Sequence, residues 1–437
     1  MIPLPGQGAA ARPSVTLPLA YLGAAALAFV LAALALPALG AELTGHYYHP
    51  RLLALAHVVA LGWITLAIMG ASYQLIPVAI ERPLWSERLA RWQLAGLVAG
   101  IVGMVSHFWT GRWAGLAWAA ALVGAGALCH VLNVALSLRT LARWTFTARA
   151  LALGLAGLTL TVGFGVTLAA THGRDVFPGG LLLAVHAHVH LALLGWIAPM
   201  ILGVAARVFP MFLLAPEPGG RGRRVQLWGL GLGVPALVAG LLLGRAALLI
   251  PGAAAVAAAL GVHATWVVSF ARRRKRPTLD CGLRFALTGT AYLLPAAALG
   301  AVLLGGAGGG PRVATAYAIL ALGGWVSLTI VGMMLKIVPF LVWYRVYAPR
   351  AGRVPVPMVA QLSWPAAERL AYGLLTAGML VLALAVAAGT RPLVAVGGVT
   401  VATGSLAFAA ALGRTLLHLL PGPDRRPAPA PIRAEPR

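Results

Sequence analysis

Residues 57–77 read HVVALGWITLAIMGASYQLIP, residues 190–210 read HLALLGWIAPMILGVAARVFP, and residues 319–339 read ILALGGWVSLTIVGMMLKIVP. Each stretch carries Gly-Trp, then Gly seven residues after the Trp, then Pro seven residues further on. The tryptophans are Trp63, Trp196 and Trp325, the glycines Gly70, Gly203 and Gly332, the prolines Pro77, Pro210 and Pro339. Successive copies lie 133 and 129 residues apart. Agreement at four positions three times over points to internal repeats, a device membrane proteins use.

The surrounding chain supports a membrane reading. Of 437 residues, 60% are hydrophobic and 10% charged; a soluble domain carries about 25% charged residues. Apolar runs long enough to cross a ~30 Å hydrocarbon layer recur along the whole length. Lipid offers no hydrogen bonds to the backbone, so these runs are expected to be helices. The alternating segments of an outer-membrane barrel are absent from the sequence. Fifty-three glycines suit close helix packing in lipid.

Twelve spans are expected, near 14–41, 50–80, 91–110, 113–138, 148–171, 180–213, 225–244, 246–271, 283–306, 313–344, 367–389 and 392–419. The expected fold class is all-α, a polytopic membrane protein with about twelve transmembrane helices in three pseudo-symmetric four-helix repeats. One membrane domain covers 1–420, with repeats near 14–138, 148–271 and 283–419. Residues 421–437, rich in Pro and Arg, read as a disordered cytoplasmic tail. Residues 14–41 end in Ala-Leu-Gly-Ala, like a signal-peptidase site. Their apolar run is longer than a signal segment, so it reads as a retained helix.

The net charge is +24. Topology explains it better than nucleic acid does, because the arginines sit in short loops. Loops after even-numbered spans hold Arg82, Arg88 and Arg91; Arg139, Arg143 and Arg149; Arg221, Arg223 and Arg224; Arg272 to Arg276; and Arg345, Arg350 and Arg353. Loops after odd-numbered spans hold about one each: Arg51, Arg112, Arg174, Arg245, Arg312 and Arg391. Positive charge stays cytoplasmic, which puts both termini inside a bacterial-type inner membrane. Cys129 and Cys281 are far apart, form no C-x-x-C and read as packing residues. Four residues after the shared Gly stand Gln74, Arg207 and Lys336, read as groups snorkelling to the interface or lining an inward anion or proton path.

Eleven histidines are present. His57 and His190 each stand six residues before the repeat Trp, where the third copy has Ile319. His186 and His188 precede His190 on the same span. Ionisable groups inside a membrane are costly, so such a cluster is a functional hypothesis, and imidazole is the commonest metal ligand. At 100° per residue His186 and His190 share one helix face, while His188 points about 200° away from His190. One helix can therefore serve two sites. His107, His130, His172, His263 and His418 read as hydrogen-bonded packing residues. Tyr73 and Tyr317 read as packing residues, with a part in radical or proton steps as the alternative.

HVHLALLGW, His188 to Trp196, resembles the HVHSGALGW-type helix of cbb-type cytochrome oxidases. Those belong to the haem-copper oxidase superfamily with the nitric oxide reductases. The family's plan of twelve helices in three four-helix arcs matches the repeat. The resemblance implies that His57 and His190 are axial ligands of a bis-histidine low-spin haem, b-type by analogy, and that His188 ligates a second haem. It implies electron transfer and O₂ or NO chemistry as an oxidoreductase. It also leaves room for copper at His186 with His46, His49 or His107. It covers the helical plan and two short motifs. The family places H-x-H on helix 10, whereas here it lies on helix 6. Helix 7 lacks the copper-binding histidine pair, no His-x-x-x-Tyr stands in the expected place, and the carboxylates of proton channels are missing. The NnrS type, a smaller group of bacterial twelve-helix haem-copper proteins linked to nitric oxide stress, shares such gaps. The alternatives are a twelve-helix transporter, with Arg207 and Lys336 meeting an anion, and a non-catalytic haem or metal sensor or assembly subunit. Expected partners are membrane lipid and an electron-donor protein or further subunits, with no nucleic acid.

Overall fold

The computed structural model describes residues 15–80, 83–306 and 310–420. The expected tail at 421–437, and Arg82, lie outside the described residues. Among the described residues, twelve helices are long and apolar enough to cross a membrane. They are α1 (Thr16–Ala38), α2 (Pro50–Pro77), α3 (Glu87–Thr110), α4 (Trp113–Leu138), α5 (Phe146–Ala170), α6 (Gly180–Leu213), α7 (Gly220–Leu243), α8 (Ala246–Arg272), α9 (Cys281–Leu304), α10 (Pro311–Val346), α11 (Pro365–Ala388) and α12 (Arg391–Leu419). No strand occurs among the described residues. The protein is an all-α, multi-pass membrane protein.

Local chemistry sets where the helices start and stop. Side chains of Ser86, Thr145 and Asp280 accept from backbone N–H groups in the first turns of α3, α5 and α9, filling donors that have no partner within the helix. Gly111, Gly244 and Gly389 end α3, α7 and α11 with φ of 66°, 61° and 72°. That left-handed turn is costly for a residue with a Cβ. Each glycine folds its helix back on the next, giving the tight pairs α3–α4, α7–α8 and α11–α12.

The three helices that carry the Gly-Trp motif form the centre. Buried residues make up 56, 78 and 72% of the apolar windows of α2, α6 and α10, against at most 50% in any other span. Leu27, Leu160, Leu232, Leu294 and Leu384 face outward from the surrounding helices, as lipid contact demands. Trp63, Trp196 and Trp325 are almost wholly enclosed. Each sits in a π-helical stretch: Val58–Thr65 in α2, Leu191–Ile197 in α6 and Ile319–Ser327 in α10. Such wide turns recur at functional sites because they rotate the preceding side chains relative to the rest of the helix. His57 and His190 are the last residues before the first two stretches.

The chain passes back and forth, so the loops after even-numbered helices gather at one end of the bundle. Most of the Arg side chains lie there. Arg207 forms an ion pair with Glu217, and Lys336 bonds Asp280 at 2.6 Å. The anion-path reading of these two is thereby weakened, since each already has a carboxylate. The opposite end, formed by the loops after odd-numbered helices, carries most of the histidines; His130, His263 and His418 lie toward the arginine-rich end.

Candidate functional site: a histidine-lined cavity

A cavity of about 1470 Å³ opens at the histidine-bearing end. Ligand pockets commonly run ~300–1,000 Å³, so this space exceeds one small ligand. Its walls are largely apolar. Among the described residues, no Asp, Glu, Lys or Arg lines it, and its ionisable groups are histidines and tyrosines. His57, His186, His188, His190 and Tyr317 all border it, whereas Tyr73 and His130 do not.

His57 projects from α2 about two turns from its start. Its Nδ1 lies 2.7 Å from the Leu53 carbonyl oxygen. A carbonyl only accepts, so Nδ1 carries the proton and Nε2 keeps a lone pair. Phe108 of α3 stacks on the ring, centroids 4.8 Å apart. His190 repeats this arrangement on α6, with Nδ1 donating to the His186 carbonyl oxygen at 2.8 Å. A ligating histidine characteristically gives its other N–H to a backbone carbonyl or carboxylate, which fixes the ring and its tautomer.

Both histidines line the cavity, and His190 meets Tyr317 of α10: the rings are 19° from parallel, and the Tyr317 hydroxyl lies 3.4 Å from Nε2. In that contact the residue six before the repeat Trp on α6 faces the residue eight before the Trp on α10. The corresponding positions on α2 and α6 are His57 and His188, both in the cavity wall. The equivalent positions for α10 and α2 are Ile319 and Leu55, which carry no donor atoms.

His188 is buttressed from α5. Phe164 meets it edge-on at 5.8 Å, and a Cβ on Gly165 would sit 2.9 Å from its Cε1. The glycine therefore makes room for the imidazole. The Nδ1 atom of His188 is buried without a hydrogen-bond partner. The sequence hides these supports: Phe108, Phe164 and Gly165 lie on helices outside the repeated motif.

His186 lies at the mouth, its ring 5.2 Å from Tyr47, and it interacts electrostatically with His46. His49 accepts from the Arg51 N–H, and His107 bonds the Arg112 carbonyl oxygen. His172 stacks on Trp113 at 3.9 Å. Outside the spans, burial at this mouth pushes the Tyr47 and Tyr48 hydroxyls above their ordinary pKa, so both stay protonated at neutral pH. Among the described residues, no group of three or more His, Cys, Asp or Glu gathers to hold a bare metal ion.

Tyr73 belongs to a separate buried cluster. Its hydroxyl donates to the Gln93 side-chain oxygen, so the His130 Nδ1 at 3.0 Å must donate to it. Tyr21 packs edge-on against the Tyr73 ring and donates to the Ala90 carbonyl oxygen. The expectation of hydrogen-bonded packing for His130 is met on Nδ1, while its Nε2 has no partner. His418 bonds the Tyr347 hydroxyl in the same structural manner.

No known family model matches the chain, and no curated protein matches it.

Proposed function

We propose that this protein is a haem-binding membrane protein of the cytochrome oxidase subunit I-like type, built as three copies of a four-helix unit. The observation that carries the reading is that His57 and His188, imidazoles from two of the central helices, line one apolar cavity; we take these two as the axial pair. His57 has its Nε2 lone pair free and its Nδ1 tied to a carbonyl, the state an axial ligand requires. Phe108, in the cavity wall and stacked on the His57 ring, supplies a flat apolar contact of the kind a porphyrin needs. The family resemblance implies the pair His57–His190 instead, and His190 also lines the cavity.

A haem held by two histidines has no open axial position and passes electrons. The chain's own part is to fix the His57 tautomer through the Leu53 carbonyl, to keep water and charge away, and so to set the potential. His190, facing Tyr317, is the remaining imidazole for the second haem that the resemblance gives to His188. Copper, if present, belongs near His186 and His46. The arginine asymmetry supports a bacterial-type plasma membrane with both termini in the cytoplasm.

The test is the visible spectrum of protein purified from a haem-replete host. A Soret band with a split α band in the reduced form is expected. A colourless preparation contradicts the reading.

A further inference from the structure

The outer surface of the bundle is loosest at one seam. Spans α8 and α9 are the least enclosed of the twelve, with 22 and 28% of their apolar windows buried. The matching neighbours α4 and α5, and α12 and α1, pack closely against each other, whereas α8 and α9 touch much less. Pro295 has no N–H to give the Ala291 carbonyl, and α9 is interrupted at Tyr292. The seam holds a groove of about 310 Å³ on its half nearer the arginine-rich end. Val267, Val268 and Ala271 of α8 face Leu287 and Ala291 of α9 across it, with Arg272 at one end. Val268 is 47% exposed, so the groove lies on the surface that meets lipid.

We propose that this groove seats an acyl chain of an anionic phospholipid whose phosphate is held between Arg272 and Arg284. Arg272 follows Ala271 on α8. Arg284 stands three residues before Leu287, on the same face of α9 and about one turn nearer the arginine-rich end. Both arginines are exposed, and neither forms an ion pair with a carboxylate among the described residues. Asp280, between them in the chain, is already engaged by Lys336 and Arg276. Two guanidinium groups from separate helices match the paired oxygens of a phosphodiester. Arg273, Arg274 and Lys275 raise the positive potential at the same end, which draws anionic lipid. Cations alone do not make the site. Arg139 closes α4 as Arg272 closes α8. Arg149 precedes Ala150, which meets Gly203 as Phe285, after Arg284, meets Gly332. The α4–α5 seam thus carries the same two arginines, but its helices are packed together. A transmembrane partner helix is too large an occupant, because the groove spans only about a turn and a half of each helix. The site faces lipid, away from the histidine-lined cavity, and does not depend on haem.

The experiment is native mass spectrometry of the full chain in detergent, titrated with phosphatidylglycerol or with phosphatidylcholine of the same acyl chains. Phosphatidylglycerol should bind more tightly than phosphatidylcholine, whose net charge is zero. Arg272→Gln combined with Arg284→Gln should weaken phosphatidylglycerol about thirtyfold, each cation contributing about fivefold. Arg139→Gln combined with Arg149→Gln should leave it unchanged. Ala291→Trp fills the groove without altering charge and should weaken both lipids. All five positions are exposed, so each variant should keep the unaltered Tm. Equal binding of the two lipids, equal loss in the two double variants, or unchanged binding in Ala291→Trp overturns the proposal. Displacement of the lipid by inorganic phosphate, or a second protein chain held at the seam in its place, overturns it as well.

Discussion

The Trp63 indole N–H donates to the Ser327 hydroxyl at 3.0 Å, joining positions 264 residues apart. Trp196 does the same to Thr65 at 3.2 Å. In each bond, the acceptor stands two residues after the Trp of the neighbouring central helix. The third bond would run from Trp325 to position 198, which is Ala198. Trp325 Nε1 is buried with no partner. Ser327 in turn donates to the Leu322 carbonyl oxygen across its π-helical turn. The three central helices are thus locked by a ring with one open link.

The open link predicts a stabilising substitution. Ala198→Ser supplies the acceptor that Trp325 lacks and should stabilise the fold by about 1 kcal/mol. Ser327→Ala should cost about 1–3 kcal/mol, because Trp63 would be left buried and unpaired. Thermal unfolding in detergent measures both. Equal Tm values for the two variants contradict the ring.

Gly165→Ala should disturb His188 without unfolding the protein. A Cβ there lies 2.9 Å from the imidazole, so the ring must turn. The expected outcome is loss or broadening of the haem spectrum at near-normal Tm. An unchanged spectrum means that His188 is not held as described.

Tyr73→Phe separates packing from chemistry. The hydroxyl joins Gln93 and His130 away from the cavity. Its removal should destabilise by about 1–3 kcal/mol and leave the haem bands in place. Loss of the bands at unchanged stability contradicts that assignment.

The charge asymmetry predicts labelling from opposite sides. A cysteine at Arg245 should react with an impermeant maleimide in intact cells, and one at Arg274 only after permeabilisation. The reverse pattern inverts the topology.

The spans were legible because lipid forces long apolar helices, and the twelve expected segments coincide with the twelve observed ones within a few residues. The Gly-Trp frame of Trp63, Trp196 and Trp325 was equally legible, since a spacing of 133 and 129 residues is visible without any fold. The pairing across helices was not. Helical periodicity tells which face His188 and His190 occupy but not which neighbour meets that face. The π-helical turns after His57 and His190 leave no mark in composition. Gly165 and Phe108 act from helices whose sequences carry no repeat, so their part emerges only from packing.

The most direct test compares low-temperature EPR spectra of His188→Ala and His190→Ala with that of the unaltered protein. The account predicts that the bis-histidine low-spin signal disappears in His188→Ala, as in His57→Ala, and persists in His190→Ala. Persistence in His188→Ala with loss in His190→Ala would contradict the pairing of His57 with His188.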